Sequence, residues 1–101
     1  MRFQTRLTMF SDSTVFKLSK LFRLQWEPAQ ESHVLLYPEG MVKLNGSAGE
    51  ILSRLDGVKP ISEVVNEIEK KFNAADIRKD VFSFVEIALK QGWICEDEEG
   101  R

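Results

Sequence analysis

Residues 32–55, SHVLLYPEGMVKLNGSAGEILSRL, restrict the fold of this chain more than any other stretch. They read as strand, tight turn, strand and capped helix. Residues 33–37 are short, apolar and β-favouring. Tyr37-Pro38-Glu39-Gly40 then places proline at the second position of a turn, where its fixed φ suits type I geometry, and glycine at the fourth. Residues 41–44 resume an extended apolar run carrying one charge, Lys43. Two strands and a short turn make a hairpin. Asn45-Gly46 breaks the pattern. Ser47-Ala48-Gly49-Glu50 has the form of a capping box, in which the serine accepts from the amide three residues on and the glutamate reaches back. Ala48, Ile51, Leu52 and Leu55 recur at helical spacing.

Around this centre the rest of the chain is arranged as one domain, which is the expectation for 101 residues. Phe22, Leu24 and Trp26 alternate with Arg23, Gln25 and Glu27, the period of a half-buried strand that Pro28 ends. After the first helix, Asp56-Gly57 is a stop signal and Val58-Lys59-Pro60 a bridge. The second helix takes Ser62 as its cap and Val64, Val65, Ile68 and Phe72 as its apolar stripe. Asp76 caps a third helix over residues 77–91, closed by Gly92 with Trp93 folding back on the last turn. The predicted fold is α+β: a small winged helix-turn-helix-like domain, with a three-stranded antiparallel sheet followed by a three-helix bundle. Its boundaries fall at residues 1–20 for an N-terminal extension, 21–95 for the domain and 96–101 for an acidic tail. Two readings stand for the extension: a mobile basic tail, or an arm that packs on a partner or on a second copy of the chain. Its phenylalanines favour contact over the open solution. The capped helices and the hairpin all follow residue 14, so removal of residues 1–14 is expected to leave the fold intact.

The third helix has more apolar surface than a core requires. At about 100° per residue, Ile77, Val81, Phe82, Phe84, Val85, Ala88 and Leu89 spread over roughly 160°, against about 100° for a helix that only covers a core. Phe82, Val85 and Leu89 lie farthest round. They either meet the extension or a dimer partner, or line a groove.

Chemistry is scarce. The one histidine, His33, has no cysteine at ligand spacing, which argues against a metal site. The one cysteine, Cys95, excludes an internal disulfide, suits a reducing cytoplasmic compartment and has no basic neighbour to activate it. Gly46 and Gly49 flank a capping serine without the lysine of a phosphate loop. No apolar run approaches the ~20 residues that span a membrane. The chain is therefore expected not to be an enzyme, to carry no catalytic residues, no metal and no cofactor, and to work away from membranes. Two binding readings follow. A winged helix suggests DNA, but helix three offers Arg78, Lys79 and Lys90 against Asp80 and Glu86, too little positive charge for a phosphate face. A free strand edge suggests instead a peptide added as an extra strand.

The block HVLLYPEGMVKLNGSAGEIL, with FRLQWEPAQ before it and Gly92-Trp93-Ile94 after, closely resembles the PqqD family of pyrroloquinoline quinone (PQQ) synthesis proteins, over residues 21–94. The resemblance implies a peptide chaperone, a RiPP recognition element. Such a protein binds the precursor peptide PqqA as an added strand and presents it to PqqE, the radical S-adenosylmethionine enzyme that cross-links a glutamate and a tyrosine of that peptide. Matched element by element, it implies a peptide lying along Met41, Val42, Lys43 and Leu44, with Val81, Phe82, Val85 and Leu89 as the apolar wall. Metal and cluster cofactors would belong to the partner enzyme, with no nucleic acid bound. The long start, residues 1–20, departs from the family pattern and is where a homodimer would form.

Overall fold

The computed structural model describes residues 10–97. The chain runs β1 (Val15–Leu18), β2 (Arg23–Glu27), β3 (Ser32–Tyr37), β4 (Gly40–Lys43), α1 (Gly46–Ser53), β5 (Asp56–Pro60), α2 (Ile61–Phe72), α3 (Arg78–Gln91) and β6 (Ile94–Glu96). The α+β class and the three helices are as expected. The sheet arrangement is not: there are two three-stranded antiparallel sheets, ordered β2-β3-β4 and β5-β1-β6.

The first sheet is the predicted strand followed by the predicted hairpin, with Pro38 and Glu39 forming the loop between paired Tyr37 and Gly40. Leu24, Leu35 and Val42 stand opposite one another across the three strands. They share one face of the sheet because side chains alternate along a strand. Leu35 is fully buried on that face. Trp26 remains half-exposed, with its ring against the edge of the His33 imidazole at 5.0 Å.

The second sheet replaces two elements expected to be irregular. Val15–Leu18, placed in the extension, is its central strand, and Asp56–Pro60, read as a helix stop followed by a bridge, is one of its edges. Phe16 carries the reason: its ring is 1% exposed and sits in the same core as Leu35, Ile61, Val85 and Ile94. The domain therefore begins well before residue 21. The segment ahead of β1 is also built in. Phe10 packs edge-on against Phe16, with centroids 5.0 Å apart, and tilted against Phe82 at 4.9 Å. The part of the extension over residues 1–9, and the acidic tail from residue 98 on, lie outside the described residues.

The helix caps differ from expectation in an instructive way. Asn45, not Ser47, is the N-cap of α1; its Oδ1 accepts from Ala48 N at 2.8 Å and from Ser47 Oγ at 3.1 Å. Glu50 is thereby released from the capping box and pairs with Arg54 and Lys71 instead. α2 begins at Ile61, before Ser62, and has no side-chain cap. Its first two amides donate to main-chain carbonyls of the N-terminal segment, Ile61 N to Thr14 O at 2.8 Å and Ser62 N to Asp12 O at 3.0 Å. These bonds satisfy donors that every helix start leaves open. α3 begins after Ile77 rather than at an Asp76 cap, and the Ile77 amide donates to Glu69 Oε2 of α2. Its end is as read: Gly92 takes the left-handed conformation, its amide and that of Trp93 close on Leu89 and Ala88, and Trp93 lies beside Phe84.

Candidate functional site

The hairpin pairs β3 with β4 and leaves the outer side of β4 open. Which backbone groups face that side follows from the ladder. Leu44 N donates to His33 O at 3.1 Å, one step beyond the pair Val34 and Lys43. In antiparallel pairing, bonded and non-bonded pairs alternate. The amides and carbonyls of Val42 and Leu44 therefore turn to β3, and those of Met41 and Lys43 turn outward. Among the described residues, these two N–H and two C=O groups have no strand partner, and such an edge is a template for another strand.

Beyond the end of β4 the surface falls into a groove of about 640 Å³. Asn45, Ala48 and Ile51 form the α1 side, Ile68 and Phe72 the end of α2, and Ile77, Val81 and Phe84 the α3 side. Its lining is mostly apolar, and Phe72 is half-exposed there. The rim carries charge. Glu50 sits between Arg54 Nη1 at 2.5 Å and Lys71 Nζ at 3.0 Å. The hydrogen bond from Arg54 comes first among the influences that hold its carboxyl below the ordinary value, with Lys71 adding to it and burial opposing it. Asp80 stands on the α3 rim, in the first turn of its helix.

The expected site residues divide. Met41 and Lys43 are exposed on the open edge, Val42 is half-buried and Leu44 is buried. Val81 is the only member of the predicted α3 wall among the groove-lining residues; with 2% exposure it contributes floor more than contact surface. Val85, expected in the surplus row, is a central core residue with no accessible surface. Phe82 faces away from the groove, under Phe10 and with the Arg78 guanidinium over its ring at 4.4 Å. Leu89 packs partly buried against the core. The row that meets the groove is instead Ile77, Val81 and Phe84. The spacing i, i+4, i+7 was the available signal: it marks a single face, whereas the angular spread of all apolar residues merged three faces into one.

The fold and this site define a small α+β domain with an open strand edge, among the described residues, and an apolar groove between its helices. The family profile described as "Coenzyme PQQ synthesis protein D (PqqD)" matches residues 32–94. The chain is 46% identical over 83 residues to the PqqA binding protein of Methylococcus capsulatus, covering 82% of this chain and 89% of that one. It is 51% identical over 79 residues to the PqqA binding protein of Azotobacter vinelandii, covering 77% and 86%. Among solved structures, it matches the solution structure of the PqqD truncation of Methylobacterium extorquens PqqCD, a RiPP recognition element, with a TM-score of 0.72 and 27% identity over 87% of this chain and 96% of that one. The chain belongs to the PqqD family.

Proposed function

We propose that this protein is a non-catalytic chaperone of PQQ biosynthesis that binds the precursor peptide PqqA as a fourth strand on β4 and presents it to PqqE. The observation that carries the reading is the outward-facing backbone of Met41 and Lys43 on an edge strand that is followed, from Asn45 on, by the lining of an apolar groove. The relatives' naming as PqqA binding proteins supports the choice of peptide. The reading assigns no chemistry to this chain; the cross-linking belongs to the partner enzyme. It also leaves no place for DNA on α3, where Arg78 is engaged by Asp12 and Asp80 and Glu86 interrupt the positive charge.

Magnitudes say that edge and groove must act together. Four ladder bonds at about 0.5–1.5 kcal/mol each supply only a few kcal/mol. Micromolar binding requires about 8 kcal/mol, and ordering a flexible peptide costs about 2–5 kcal/mol more. Two or three apolar peptide side chains, each contributing about 1.5–3 kcal/mol on burial, close the gap. The free surfaces of Phe72, Ile77 and Phe84 are where they would seat.

Proline substitution tests the strand addition. Lys43→Pro removes an N–H that β3 does not use, and proline is tolerated at such edge positions. It is expected to leave thermal unfolding close to that of the parent while weakening a synthetic PqqA peptide at least tenfold. Unchanged affinity in the folded variant would refute strand addition on β4.

A further inference from the structure

The groove is bounded by helices whose far faces are held by a segment that never touches it. On α3, Ile77, Val81 and Phe84 meet the groove, while Arg78 and Phe82 lie roughly a third of a turn away, at about 100° per residue. That second row belongs to the N-terminal segment: Phe10 packs on Phe82, and Asp12 pairs with Arg78. On α2, Ile68 and Phe72 meet the groove, while Ile61 and Ser62 at the opposite end donate to Thr14 and Asp12 carbonyls. A four-residue turn fixes the segment itself, with Ser11 N donating to Thr14 Oγ1 at 3.0 Å and Thr14 N to Ser11 O at 3.1 Å. Residues 10–14 thus form a strap with two contacts on each of two groove-bearing helices.

We propose that this strap is a positioning device for the groove: by fixing α2 and α3 to one another, Phe10 and the Asp12 and Thr14 carbonyls set the spacing of the apolar walls, so that peptide affinity depends on residues that line no part of the site. The proposal rests on the reading of the groove as the PqqA site. Its physical content is linkage. Without the strap, the first turn of α2 and the first two turns of α3 sample more positions, and only a fraction of them presents the walls at the right spacing; the apparent affinity falls by that fraction. By reciprocity, a peptide that selects this spacing tightens the strap. The strap's exposed Asp12–Arg78 pair contributes little by itself. The aromatic contact and the two main-chain bonds are the working parts.

Two measurements on the full chain test this. In the first, a synthetic PqqA peptide is titrated against the parent, Phe10→Ala and Phe10→Leu. Phe10→Ala is expected to bind about tenfold more weakly while still unfolding cooperatively, and Phe10→Leu to stay within about twofold of the parent. In the second, amide exchange of the parent is followed with and without saturating peptide. Exchange at Ile61 and Ser62, about 17 Å along α2 from Phe72 at a rise of about 1.5 Å per residue, is expected to slow at least fivefold relative to the β3-bonded amides of β2. If Phe10→Ala does not fold, the exchange result on the parent decides. Peptide binding with unchanged exchange at Ile61 and Ser62, or a folded Phe10→Ala of parental affinity, overturns the strap and leaves the groove reading standing. A parent that binds no peptide overturns both.

Discussion

Gly49 shows how a single missing side chain sets the distance between the helix and the sheet. A Cβ built there would lie 2.5 Å from His33 Nδ1 and 3.1 Å from His33 Cβ. Turning the imidazole relieves the first contact; the second requires the His33 Cβ to give by a few tenths of an ångström, a shift that glycine spares. Gly49→Ala gains about 0.8–1.0 kcal/mol in helix propensity but loses about 1–3 kcal/mol to overpacking, and the expected net is destabilising. In a His33→Gly background, which removes both the ring and the Cβ contact, the penalty should shrink by at least about 1 kcal/mol. A thermal-denaturation double-mutant cycle reads this coupling, and additive effects would remove the contact from the account. Glu50 and Asp56 make a second expectation at this scale. Asp56 Oδ1 accepts from Lys59 N at 3.0 Å and Val58 N at 2.9 Å, and these bonds, led by Lys59, hold its carboxyl below its ordinary 3.8. Glu50 is held below its ordinary 4.5 by Arg54 first. Both folded values are depressed, so both contributions are intact above the ordinary values and are lost as pH falls through the folded ones. Stability should therefore decline below about pH 4.5. Glu50→Gln should flatten part of that decline in acid-denaturation curves, and an unchanged curve would count against the Arg54 and Lys71 pairing.

The segment 10–18 is where the elements were least legible. The hairpin and all three helices could be read because their signals are local: turn chemistry at Pro38 and Gly40, apolar spacing, and a glycine at the end of α3. β1 carries no such signal. Val15–Leu18 is four residues long, and what makes it a strand is pairing with residues far along the chain, Asp56 and Pro60 on one side and Ile94 to Glu96 on the other. The cap of α2 was hidden for the same reason, since carbonyls from residues 12 and 14 look like any others in a sequence. In the groove, a contribution from α3 could be anticipated but not the row that lines it, Ile77, Val81 and Phe84, because the strap that occupies Phe82 was itself unread. This changes the outcome expected for a truncation. Deleting residues 1–14 removes the Phe10 packing, about 1.5 kcal/mol for a half-buried aromatic, and two helix-start bonds at about 1 kcal/mol each. A loss of roughly 3 kcal/mol corresponds to about 10–20 °C in Tm for a domain of this size. Cooperative unfolding should survive, because Phe16 and β1 remain. A truncated chain with the parental Tm would mean that the strap does not hold α2 and α3 in solution.

Across the whole molecule, the first sheet has two outer edges, β2 and β4, and only one of them opens on the groove. β2 presents Arg23, Gln25 and Glu27, with Trp26 half-exposed among them, and none of its residues lines the groove; charged side chains are a common defence of an exposed edge. β4 is short, and two residues past its end Asn45 both caps α1 and lines the groove. The difference predicts an asymmetric response to ligand. On saturation with PqqA peptide, amide exchange should slow at Met41 and Lys43, whose donors have no partner in β3, while Val42, already bonded, changes little. The amides of β2 should not respond. Slowing at β2 instead would move the peptide to the other edge and detach it from the groove. The same measurement without peptide addresses self-association. If Met41 and Lys43 become protected as protein concentration rises, a second copy is pairing on the edge proposed for the peptide, and peptide should then dissociate the dimer. If concentration has no effect, any dimer uses another surface and leaves β4 free, and the peptide and the second copy do not compete.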